Sequence, residues 1–178
     1  MNPFARGEAR YTTEIDVPAA AFWDVLTDWA SMEWLPEESS ERPVPVRACV
    51  LAPGQQLGDV PLTRIITLEE PGQPASQLRE TLIYKDPEAG YLRYTVEGVG
   101  PAGMRNYLAQ EWLDVLGRER TRVTLLGRFD VTAGPAEPLQ EFLRNFYALM
   151  IRRMAEVAKR RAQHNTGNGR TVSGATPE

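Results

Sequence analysis

The chain has 178 residues, enough for one domain with a tail, and its 42% hydrophobic content suffices for a real core. A net charge of −4 and a pI near 5.2 argue against nucleic-acid binding, which needs a basic face to release phosphate counterions. No window approaches the ~18 consecutive apolar residues of a membrane span, MNPFARGEAR lacks the apolar stretch of a secretory signal, and a single cysteine, Cys49, fits a reducing cytoplasm.

Along the chain, Tyr11, Thr13, Ile15 and Val17 alternate with Arg10, Thr12, Glu14 and Asp16, the pattern of a half-buried strand. Pro18 closes it and suits the first turn of a helix, where its missing N–H costs nothing. PAAAFWDVLTDW then places Phe22, Val25, Leu26 and Trp29 at helical spacing, and SMEWL predicts a second short helix that stops before Pro36. EESSERPVP reads as a polar loop.

Strand-like runs follow: VRACVLA, PLTRIITLEE, SQLRETLIYKD, GYLRYTVEG, RNYLAQEWLDVLG and TRVTLLGRFDVTA. The breakers between them, such as DPEAG and GVGPAG, fall at hairpin intervals and predict an antiparallel meander. After GPAEP the period changes. Leu139, Phe142, Leu143, Phe146, Leu149, Met150, Met154 and Val157 form the apolar stripe of one long helix. Its basic end, IRRMAEVAKRRAQH, meets the helix dipole favourably, which accounts for the charge without nucleic acid. NTGNGRTVSGATPE lacks large apolar groups and reads as disordered, so the domain is expected over 9–161 and a tail over 162–178.

The class is therefore α+β: a curved antiparallel sheet of about seven strands around a long C-terminal helix, with two short helices after the first strand. A long twisted sheet curls, and one helix rarely fills its concave face, so a cavity between them is expected.

The chemistry is bounded by absences. The only histidine, His164, lies in the polar C-terminal segment, which removes histidine triads and histidine-rich metal sites. GxxxxGK[ST], GxSxG and CxxC do not occur. No metal or cofactor is expected, and catalysis would fall to carboxylates, Tyr, Arg or bound water.

IDVPAAAFWDVLTDWASMEWLP, GDVPLTRIITL, LRETLIYKDPEAGYLRYTVEG and the closing helix resemble the helix-grip (START-like, SRPBCC) superfamily. It takes in lipid-transfer domains, birch-pollen-type allergens, plant abscisic-acid receptors and bacterial polyketide cyclase/dehydrase proteins. The resemblance implies a hydrophobic tunnel between sheet and C-terminal helix. Strand alternation then proposes as inward-facing Arg47, Cys49, Ile66, Leu78, Glu80, Leu82, Tyr84, Leu92, Tyr94, Val96, Tyr107, Ala109, Glu111, Leu125 and Phe129, joined by Leu143, Phe146, Met150 and Met154 from the helix. Against the receptors, Arg47 falls where their strand-two lysine meets the ligand carboxylate, and Glu80 and Tyr107 match polar pocket positions. The receptor gate is replaced by EEPGQPA and the latch by AGM, so sensing by that gate is not supported.

Two readings of Arg47, Glu80 and Glu111 stand side by side: internal or surface ion pairs, and a site in which Arg47 anchors a ligand anion while a carboxylate of raised pKa moves a proton. Three functions follow. The first is binding of a small hydrophobic molecule (lipid, isoprenoid or polyketide-like) for transfer or sensing. The second is a metal-free cyclase, aromatase or dehydratase using Glu80 or Glu111, and the third is a protein-interaction module. A homodimer stays open. Of the clustered tryptophans, Trp29 and Trp23 are assigned to packing and Trp34, beside Pro36, to the tunnel mouth.

Overall fold

A computed structural model describes residues 4–36, 44–69, 72, 74–100, 103–132 and 134–168. Seven strands form one antiparallel sheet in the order β1-β7-β6-β5-β4-β3-β2. They are β1 (Ala5–Ile15), β2 (Val46–Leu51), β3 (Leu62–Leu68), β4 (Ser76–Asp86), β5 (Tyr91–Glu97), β6 (Met104–Gly117) and β7 (Arg120–Val131). After β1 comes α1 (Ala19–Leu26), and after β7 the long helix α2 (Glu137–Asn168). Apart from the β1–β7 pairing, every neighbour in the sheet is a neighbour in sequence, as the hairpin spacing predicts.

α1 starts where Pro18, extended at ψ 140°, gives way to three alanines, and Phe22 N–H reaches back to the Pro18 carbonyl at 3.1 Å. Its Phe22, Val25 and Leu26 are buried, and α1 packs chiefly against α2, with β6 beside it. The helix ends at Thr27, whose hydroxyl donates to the Trp23 carbonyl at 2.8 Å. The expected second helix is absent. Residues 31–36 form a turn instead, in which Leu35 N–H closes on the Met32 carbonyl at 2.9 Å and no helical ladder propagates before Pro36. α2 also runs on to Asn168, so residues 162–168, expected in the tail, continue the helix.

A row of small residues crosses the sheet: Ala109 and Ala9 both pair with Gly127. A Cβ at Gly127 would collide with the Tyr147 hydroxyl and lie 2.9 Å from Tyr107 Cε2, so the missing side chain is what makes room for these two rings. Neighbouring Phe129 lies over Gly7 in the same way, its ring filling the space a Cβ would occupy.

Bulges reset the alternation in three strands. In β2 the register shifts between Val46 and Ala48, in β4 between Leu82 and Tyr84, and in β6 between Arg105 and Leu108, where Asn106 adopts φ 51°. Among the described residues no helix is long and apolar enough to cross a membrane.

Candidate functional site

β3 and β4 pair Arg64 directly with Glu80 on the concave face. Arg64 Nε donates to Glu80 Oε2 at 2.7 Å, and Nη2 ends on the same oxygen. Nη1 donates to the Trp29 carbonyl at 3.2 Å, and the guanidinium carbon lies 4.1 Å from the Trp29 ring centroid. Burying a cation is costly unless it is paired. Burial works against the Arg64 charge, but Glu80, Cys49 and Tyr94 together outweigh it, and the guanidinium sits above its ordinary value. Trp29 serves two roles here: its ring caps the arginine and packs edge-on against Tyr94 at 5.3 Å.

Tyr94 on β5 leads to Tyr107 on β6, their ring centroids 5.9 Å apart, and Tyr107 shares a hydrogen bond of 2.8 Å with the Tyr147 hydroxyl of α2. Burial drives all three phenols up, and neighbouring tyrosines and carboxylates add to it. They are neutral hydroxyls, able to donate and to accept.

Glu111, also on β6, is 2% exposed, and its Oε2 has no hydrogen-bond partner among the described residues. Burial pushes its pKa to about 8; Arg64 opposes the shift and Glu80 adds to it. Glu80 and Glu111 thus occupy contrasting settings, one bonded to a guanidinium and one buried with an unsatisfied oxygen.

In front of this polar group lies a cavity with room of about 90 Å³ for water-sized spheres. The sheet contributes Ile66, Leu78, Tyr94, Val96, Met104 and Tyr107, and α2 contributes Leu139, Phe142, Leu143, Phe146 and Tyr147. Trp34 and Met32 from the turn after α1, with Val44, Val46 and Leu68, close the remaining side. Trp34 packs edge-on to Phe146 at 6.0 Å, and Phe142 stacks on Phe146 at 6.2 Å. Glu80 is the charged residue of this lining among the described residues. Among them, too, no group of three or more His, Cys, Asp or Glu could hold a metal.

Of the residues proposed from the sequence, the cavity brings together Trp34, Ile66, Leu78, Glu80, Tyr94, Val96, Tyr107, Leu143 and Phe146. Leu82, Leu92, Ala109, Glu111, Leu125, Phe129, Met150 and Met154 are buried but lie outside its lining, in the solid part of the core. Cys49 pairs with Ile66 and is half-buried, its thiol pushed up by burial. Two residues face the other way. The β2 bulge turns Arg47 outward, where it is 63% exposed and bonds Glu69 at 2.9 Å. The β4 bulge sets Tyr84 opposite Arg93 on the convex face, with that guanidinium 5.3 Å from its ring and Tyr91 at 5.9 Å. Trp29 is core at 2% exposed and Trp23 packs against the core from its edge.

Arg64 was missed, although it shares the parity of Leu62 and Ile66 within one strand, and that was the available signal. Tyr147 was missed because Phe146 and Met150 define a stripe that is complete without it. EEPGQPA, AGM, EESSERPVP and the tail lie partly outside the described residues.

Residues 6–163 match the family described as polyketide cyclase / dehydrase and lipid transport. The chain belongs to this family. No curated protein matches it. Among solved structures it is similar to the Zhui aromatase/cyclase from Streptomyces sp. R1128, with TM-score 0.66 and 16% identity over 96% of this chain and 99% of that one. Norcoclaurine synthase from Thalictrum flavum, in complex with dopamine and hydroxybenzaldehyde, gives TM-score 0.66 and 14% identity over 89% of each chain. A Thermobifida fusca protein gives TM-score 0.66 and 22% identity over 86% of this chain and 93% of that one. At these identities the likeness is one of fold.

Proposed function

We propose that this family member binds a small hydrophobic molecule, of lipid, isoprenoid or polyketide type, between the sheet and the first half of α2, for transfer or sensing. The observation that carries the reading is the lining itself: aromatic and aliphatic walls with Glu80 and three tyrosines as the polar points. A molecule larger than the space as it stands has one compliant wall to push on, because Phe142 is 37% exposed and caps Phe146 from outside. Native mass spectrometry of the purified protein tests the reading directly, with an apolar adduct of defined mass as the expected result. Saturation with such a molecule should also change tryptophan emission, and Trp34→Phe should remove most of that change. Saturable binding with unaltered emission would count against occupancy beside Trp34.

A second reading, a cyclase, aromatase or dehydratase, is favoured by the contrast between Glu80 and Glu111. Burial lets Glu111 hold its proton at neutral pH behind the cavity, while Glu80, bonded to Arg64, presents its carboxylate on the cavity wall. In a dehydration, Glu80 would take the proton alpha to a ketone while a β-hydroxyl leaves as water, protonated by a neutral donor. Turnover of a β-hydroxyketone, abolished in Glu80→Gln with the fold intact, would establish it. Binding without turnover would leave the first reading standing alone.

A further inference from the structure

Arg64 does not line the cavity; Glu80 does. Both arginine bonds end on Oε2 of Glu80, and among the described residues no hydrogen bond reaches Oε1. What a molecule in the cavity meets is therefore a carboxylate oxygen, an acceptor with nothing to donate. None of the described lining residues is basic, so the anchor expected for an acidic ligand is missing from the wall. The arginine placed there from the sequence, Arg47, is outside and paired with Glu69. The buried one, Arg64, is consumed by Glu80, the Trp29 carbonyl and the Trp29 ring.

A carboxylate ligand would bring a second anion beside Glu80 in a site of low dielectric, with no free cation to meet it. A ligand ammonium would find Glu80 already neutralised by Arg64 and would lose its hydration without full return. A neutral hydroxyl fits both requirements. It donates to Oε1 in a charge-assisted bond, and its carrier stacks among Phe146, Trp34 and Tyr94. At the other end, the hydroxyls of Tyr147, Tyr107 and Tyr94 are linked in a chain by two hydrogen bonds, which use two of their three protons and leave one for a neutral ligand acceptor.

We infer that the ligand carries a neutral hydrogen-bond donor, a phenol- or enol-type hydroxyl accepted by Glu80, and that the cavity excludes the corresponding carboxylate. The inference rests on the cavity-binding reading above.

Four probes of one body size separate the two: ethylbenzene, para-ethylphenol, para-ethylanisole and para-ethylbenzoate, titrated calorimetrically into the full-length chain at neutral pH. Ethylbenzene asks only whether the cavity takes an apolar ring. The expected order is para-ethylphenol tightest, at least about tenfold over para-ethylanisole, which has the oxygen without the proton. Para-ethylbenzoate should be weakest, below ethylbenzene. Equal affinity for the phenol and the anisole, or binding of the benzoate as tight as the phenol, overturns the inference while leaving the cavity reading intact. Failure of all four to bind overturns both. The wild-type series decides without any variant. Glu80→Gln, with its fold checked by thermal melting, should then lose the preference for phenol over anisole and admit the benzoate, since Arg64 is left without its counter-ion. Unchanged selectivity in that folded variant would assign the discrimination to another group and overturn the role given to Glu80.

Discussion

The two halves of α2 carry the same apolar period and end in different surroundings. From Leu139 to Tyr147 the helix stands over the cavity, with Phe142 and Phe146 as part of its wall. From Met150 to Ala158 it is packed into solid core, with Met150, Ile151, Met154, Val157 and Ala158 all buried. The difference lies in the partner. The second half has the segment around α1 against it: the turn at 33–35 lies beside Arg153–Arg160, and Arg161 bonds Asp28 and Glu33 at 2.8 Å. Against the first half the described residues place only the tip of that turn, Trp34 and Met32, and the sheet faces the helix across the cavity. A helix stripe says that one face will be covered, but the length of what covers it decides whether the space behind is filled.

The largest test of this contrast is a pair of truncations. Met154→Ala removes atoms from packed surroundings and should cost about 2–5 kcal/mol, the usual range for a large core residue cut to alanine. Phe142→Ala removes more atoms from a rim that is already 37% exposed and should cost less, about 1 kcal/mol. Urea unfolding with a constant m-value reads both. Equal losses would mean that the two halves are packed alike, and the division of α2 would have to go.

Glu111 sharpens the same contrast through pH. Folded, it holds its proton up to about 8, whereas a free carboxyl in the unfolded chain releases it near 4.5. Between those values the folded state binds the extra proton, so stability is fullest below the window and falls as pH rises through it, by about 1.4 kcal/mol per pH unit at most. Glu111→Gln keeps the shape and removes the titration. Thermal melts from pH 5 to pH 9 should show the wild type losing stability faster than the variant, with Glu111→Gln the more stable protein at the alkaline end. Parallel curves would show that water reaches Glu111 and that this part of the core is not dry.

Most of the architecture was legible because it rests on periods. Alternation in the strands, hairpin-spaced breakers and one long stripe leave little freedom in the order of elements. The second short helix failed because SMEWL has the apolar spacing of a helix and too few residues before Pro36 to repay nucleation. The site was legible where alternation was unbroken: Ile66, Leu78, Glu80, Tyr94 and Val96 all reach the cavity. It failed at bulges, which displace the parity by one residue and leave no trace in the hydrophobic pattern. Arg47 and Tyr84 were lost that way. Met150 and Met154 were misplaced for another reason: no local pattern records where α1 stops, and that decides which part of the stripe sees the cavity.

Arg47 gives the smallest expected effect and the sharpest use of a null result. Its pair with Glu69 is 63% and 48% exposed, and such pairs are worth about 0–1 kcal/mol, because solvent screens them and two long side chains must be held in place. Arg47→Ala should therefore leave stability and the affinity for para-ethylphenol almost unchanged, with no gain or loss toward para-ethylbenzoate. In the register without the bulge, Arg47 would share the concave face with Cys49 and Ile66, supply the missing cation, and make the cavity acid-binding. The two registers predict a neutral ligand and an anionic one, so one variant and two titrations separate them. A loss of benzoate binding in Arg47→Ala would restore the straight strand and bring the positive wall back into the cavity. Silence from Arg47 leaves Glu80 to set the polarity of the site.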